Sequence, residues 1–79
     1  MIISKLFAYG VGSNKDNDKY HIFVISASYR KLFFTEDENW TEDINCRAES
    51  SDRDFVNDMF MQIFKDKNIL EKLDAELLF

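Results

Sequence analysis

Three features of the chain predict an α+β fold, a small antiparallel sheet of three to four strands covered on one face by C-terminal helices. Ile, Val, Phe and Tyr crowd the first half, and these are the residues that suit a pleated surface. The one stretch dense in turn formers, residues 10–18, separates two apolar runs within that half. Helical periodicity is confined to the residues after Ser51. Strands first and helices afterwards is the order of a two-layer domain in which one helical layer covers one sheet.

Residues 2–9 are rich in Ile, Leu, Phe and Tyr and predict a first strand, with residues 10–18 as a long loop behind it. Residues 20–27 are apolar on both alternating sets, which suits a central strand. Residues 28–35 predict a third strand through Leu32, Phe33 and Phe34; a tight turn at residues 26–28 and a short helix from Ser28 are the competing features. Residues 36–39 form a turn. In residues 40–48, Trp40, Ile44, Cys46 and Ala48 alternate with Thr41, Asp43, Asn45 and Arg47, which predicts a half-buried fourth strand with Cys46 facing inward.

Ser51 stands where a helix N-cap is expected, and Asp52 and Asp54 fall in the first turn, where the helix dipole favours acids. Phe55, Val56, Met59, Phe60, Ile63 and Phe64 then recur at helical spacing and predict a helix over residues 52–66. Asn68 with Glu71 resembles a capping box opening a second helix over residues 69–78, with one bent helix as the alternative. The Leu77-Leu78-Phe79 end either docks on the sheet or buries in another subunit.

Size and composition bound the rest. With 79 residues the chain is expected to form one domain over residues 1–79. A domain of that size buries only about 60–65% of its unfolded surface, so a 46% hydrophobic and 15% aromatic composition has to supply a dense core. A single cysteine, Cys46, excludes an intrachain disulfide and fits a reducing compartment. No basic segment precedes the apolar start and no apolar run approaches the ~18 residues of a membrane span. A cytoplasmic location without membrane attachment is the expectation, and the Asn39-Trp40-Thr41 sequon then has no use.

Catalytic chemistry is not expected, because no group is set up as acid, base or nucleophile. His21 is the one histidine and lies within an apolar strand, where it reads as a solvent-facing or satisfied core residue. A Cys46–His21 pair would need cross-strand adjacency. No metal or other cofactor is expected either. One Cys and one His cannot meet zinc spacings. Asn14, Asp16 and Asp18 imitate the start of a calcium loop, but Lys19 replaces its glycine and Ile25 its bidentate glutamate. Tyr20, His21, Tyr29, Arg30 and Lys31 mix aromatics with cations as stacking platforms do. A net charge of -5 argues against direct nucleic-acid binding.

Charge is the feature left over. Residues 1–35 sum to +3 and residues 36–79 to -8, and between Glu36 and Asp58 nine acids face only Arg47 and Arg53. Glu36, Asp37, Glu38, Asp43, Glu49, Asp52 and Asp54 are expected to form an anionic ridge. Of these, Glu36, Asp37, Glu38, Asp43, Asp52 and Asp54 are the candidate partner-binding residues, with Trp40 as an anchor. Such a ridge steers a basic protein to itself and imitates a phosphate backbone. In size, acidity and strand-then-helix order the whole chain resembles small phage-encoded or mobile-element proteins that block host nucleic-acid enzymes, such as anti-CRISPR and anti-restriction proteins. That resemblance implies an inhibitor or modulator docking on a basic, nucleic-acid-binding host protein. A structural or oligomeric accessory subunit is the alternative, held by the aromatic residues and the C-terminal tail, and a homodimer is compatible with both.

Overall fold

A computed structural model describes residues 5–78 and has the expected α+β architecture. The strands are β1 (Leu6–Ser13), β2 (Tyr20–Ser26), β3 (Lys31–Phe34) and β4 (Trp40–Thr41), and the helices α1 (Arg53–Ile63) and α2 (Lys67–Leu77). All neighbouring strands pair antiparallel in the order β1-β2-β3-β4, a meander. One sheet face sends Ile22, Val24, Leu32, Phe34 and Trp40 against Val56, Ile63, Ile69 and Leu73 of the helices, and this is the core.

The first strand is shifted from its expected span. It begins at Leu6, with residues 2–4 outside the described residues, and it continues through Gly10-Val11-Gly12-Ser13 instead of ending there. Both glycines are strand residues, and at Gly12 a ring lies over the backbone. Gly10 pairs with Phe23 and Gly12 with His21, and a Cβ at Gly12 would sit 2.7 Å from His21 Nε2. A glycine in a strand commonly marks such a close approach. The loop is therefore shorter than the turn formers suggest. Asn14 N–H donates to the Lys19 carbonyl at 2.7 Å and closes it.

Strand β3 is also shorter than residues 28–35. A tight turn comes first, in which Tyr29 takes a left-handed φ of 67° and Ser26 Oγ accepts from Arg30 N–H at 3.0 Å.

The largest correction concerns residues 40–48. Only Trp40 and Thr41 pair in the sheet, against Phe34 and Phe33. Thr41 Oγ1 then accepts from Asp43 N–H at 3.1 Å, and Asp43 Oδ1 from Asn45 N–H at 2.9 Å. These local bonds turn the chain into a single 3-10 turn, Ile44–Cys46, in competition with a ladder. Ile44 is 53% exposed and Cys46 is exposed, so the expected inward set does not continue from Trp40 through them. Residues 48–50 return to the sheet beyond the end of β3. Ala48 N–H reaches the Phe34 carbonyl at 2.8 Å, and Ser50 exchanges two backbone bonds with Tyr20.

The helices start at aspartates, not at Ser51 or Asn68. Asp52 caps α1, its carboxylate accepting from Phe55 N–H at 3.1 Å. Asp66 caps α2, accepting from Asn68 N–H at 2.9 Å and Ile69 N–H at 3.3 Å. The cap at Asp66 breaks what could otherwise be one bent helix. No helix among the described residues is long and apolar enough to cross a membrane.

Candidate functional site

The β3–β4 connection carries three of the expected binding acids and is a closely hydrogen-bonded turn. Thr35 N–H donates to the Asn39 carbonyl and Asn39 N–H to Thr35 Oγ1, both at 3.0 Å. The Thr35 hydroxyl donates to the Asp37 carboxylate, which holds the Asp37 pKa below its ordinary value. Glu38 takes a left-handed φ of 59°, a conformation a non-glycine residue holds only where its surroundings determine it. Lys72 of α2 donates to the Glu38 carbonyl at 3.2 Å and helps hold it there.

Glu49 stands across from this turn. It accepts from Asn14 and, at 3.1 Å, from Asn17 of the β1–β2 loop, and lies 3.6 Å from the Arg47 guanidinium. Asn14 in turn bonds His21 Nδ1, so one carboxylate ties the segment after β4 to the loop and to the helix-free sheet face.

Between the turn, residues 48–50 and α1 runs a groove of about 690 Å³. Ile22, Phe34, Val56 and Ile63 supply its floor, Glu36, Glu38 and Glu49 part of its wall, and Phe55, 54% exposed, also lines it. Lys65, Asp66 and Lys67 lie where α1 passes to α2. Four carboxylates against two ammonium groups leave the lining anionic.

The expected binding residues divide accordingly. Glu36 and Glu38 line the groove. Asp37 is on the same turn but opens with Glu36 and Glu49 onto a neighbouring polar depression that also contains Cys46. Asp43 caps the 3-10 turn and accepts from the Cys46 thiol at 3.5 Å. Asp52 and Asp54 belong to the start of α1 and line neither depression. Trp40 presents no anchor: it is 4% exposed, meets Phe34 edge-on at 5.4 Å, and donates its indole N–H to the Ile69 carbonyl at 3.3 Å. Phe55 has the exposure that Trp40 lacks. Its place in the helical stripe reads as core, and its exposure becomes legible only once the apolar arc of α1 proves wider than the sheet can cover.

The groups weighed for chemistry are engaged separately. His21 is buried between Asn14 and the Phe33 ring, whose centroid is 5.4 Å away. Burial, then the Arg47 and Lys31 charges, lower its pKa against a smaller opposing effect of Glu49. The Asp43 carboxylate beside Cys46 raises the thiol pKa, the opposite of nucleophile activation. Among the described residues no three His, Cys, Asp or Glu side chains are grouped to hold a metal ion. Of the aromatic and basic residues of positions 20–31, His21 and Lys31 share the Phe23 and Phe33 rings on the helix-free sheet face, while Tyr29 and Arg30 are engaged elsewhere. Tyr29 is 71% exposed against Phe7, Arg30 is bonded to Glu42 and, at 2.6 Å, to the Glu76 carbonyl, and Lys31 lies 5.0 Å above the Phe23 ring.

No family model, curated protein or solved structure matches the chain.

Proposed function

We propose that this protein is a non-catalytic protein-binding module that takes a basic partner through the acid-lined groove beside α1, acting in the cytoplasm as an inhibitor or modulator of a nucleic-acid-binding host protein. The observation that carries the reading is the coincidence of Glu36, Glu38 and Glu49 with an apolar floor and the exposed Phe55. Carboxylates alone would be a solvated surface. Joined to an apolar slot, they suit a segment that presents Lys or Arg around one apolar side chain, the aromatic and apolar contact supplying affinity and the acids supplying rate and register. Occupation of the partner's basic surface would then exclude nucleic acid from it by bulk and by charge.

Capture from host lysate, run in parallel with wild type and a Glu36→Lys/Glu38→Lys variant, tests this. The expected result is one basic nucleic-acid-binding protein retained by wild type, released by raised salt and absent from the variant. Retention of the same proteins by both would refute the groove as the docking site.

A further inference from the structure

Strand β1 is an edge of the sheet, eight residues long, with neither charge nor proline between Leu6 and Ser13. The ladder shows which of its backbone groups are spare. Asn14 N–H bonds the Lys19 carbonyl, and the register steps from that pair to Gly12–His21, Gly10–Phe23 and Ala8–Ile25. Hydrogen-bonded pairs alternate along an antiparallel ladder. The N–H and C=O groups of Tyr9, Val11 and Ser13 therefore point away from β2, and no described backbone group outside the sheet bonds them. Such an edge is a template for another strand unless charge, proline or brevity blunts it.

Side chains identify which strand. Tyr9, Val11 and Ser13 all project to the helix side. Tyr9 packs on Phe60 and Phe64, with ring centroids at 6.1 and 5.1 Å, yet remains 44% exposed. Ser13 opens instead onto a hollow of about 510 Å³ lined by Val11, Tyr20, Arg53, Asn57 and Phe60. A projecting ring at position 9 and a hollow at position 13 thus occupy one face of one strand, on either side of Val11.

We propose that a second copy of this chain pairs antiparallel along β1, with the two-fold axis through Val11. That register sets Tyr9 of each copy opposite Ser13 of the other, so each ring enters the other's hollow, and Tyr9, Val11 and Ser13 satisfy one another's spare backbone groups. The surface is complementary to itself, as a two-fold interface requires. Charge agrees: the hollow contains the Arg53 guanidinium, which favours a tyrosine ring, and no carboxylate. The acid-bearing β3–β4 turn lies toward the other edge of the sheet. The assembled dimer has one eight-stranded sheet and two acid-lined grooves.

Sedimentation equilibrium of the full chain across the micromolar to millimolar range should give twice the 9.4 kDa chain mass, falling to 9.4 kDa on dilution. Val11→Pro deletes the outward N–H at the axis and leaves the bonds to β2 intact, and it should give a folded monomer by circular dichroism. Should it unfold, Asn57→Trp fills the hollow from an exposed helix position and should raise the dissociation constant about tenfold or more. In a Cys46→Ser background, Tyr9→Cys/Ser13→Cys should oxidise to a covalent dimer while neither single change does. A mass of 9.4 kDa at every concentration overturns the proposal, as does a dimer indifferent to both Val11→Pro and Asn57→Trp.

Discussion

Eight uncharged residues form the β1 edge, whereas the β4 edge keeps only Trp40 and Thr41 in the sheet and runs straight on into Glu42 and Asp43. The β1 margin has backbone groups that no described backbone group bonds, and it is lined by aromatic rings. The β4 margin is short, charged and turned out of the sheet by side-chain bonds, so a passing strand finds nothing to pair with there. The difference gives one small molecule two unlike surfaces. On the proposed reading, a partner beyond β4 is chosen by charge and by a shaped groove, and one along β1 by hydrogen-bond geometry.

Breaking the β4 side should have the largest effect on folding. Trp40 holds that short edge to α2 through its packing and its bond to the Ile69 carbonyl, so Trp40→Ala is expected to cost about 3–5 kcal/mol in urea unfolding. On the β1 side Gly12→Ala comes next. Its methyl would meet His21 Nε2 at 2.7 Å and must displace a buried ring, with an expected cost of about 1–3 kcal/mol. Ser13→Ala, on the opposite face of the same strand, should cost much less in the same experiment.

Two further changes separate acids that hold the fold from acids that face solvent. Asp52→Ala removes the α1 cap and should cost about 1 kcal/mol, whereas Glu36→Gln/Glu38→Gln should change stability by no more than about 0.5 kcal/mol while weakening the basic partner. The smallest effect is on pH dependence. His21 is held neutral by burial, with its pKa below the ordinary 6.5. The unfolded chain then binds a proton that the folded chain refuses, so stability declines as pH falls through 6.5 and levels off below the folded pKa. Thermal melts should show that decline in wild type and lose part of it in His21→Gln.

The fold was largely legible because periodicity reports burial. Helix α1 follows a helical pattern set by one buried face, β2 and β3 are apolar runs covered on both faces, and the structure keeps all three. Patterns made by other causes misled. Trp40, Ile44, Cys46 and Ala48 alternate by coincidence, and the Thr41 and Asp43 side chains decide that segment by capping it locally. Gly10 and Gly12 have the composition of a loop, but Gly12 serves to admit the His21 ring, a tertiary contact that no local rule encodes. Of the candidate binding acids, Glu36 and Glu38 are legible as charge. Their meeting with Phe55 is not, because it depends on how α1 crosses the sheet. Trp40 was misplaced because its indole finds a hydrogen-bond acceptor within the core.

Heteronuclear NMR titration of the labelled protein with a short synthetic peptide alternating Lys and Leu shows whether the acid-lined groove binds a basic segment. Saturable shifts are expected at Glu36, Glu38, Glu49, Phe55, Met59 and Gln62, weakened by salt and abolished in Glu36→Lys/Glu38→Lys. Shifts spread evenly over all the exposed acids, Asp54 and Asp58 included, or no saturation at all, would contradict binding in the groove.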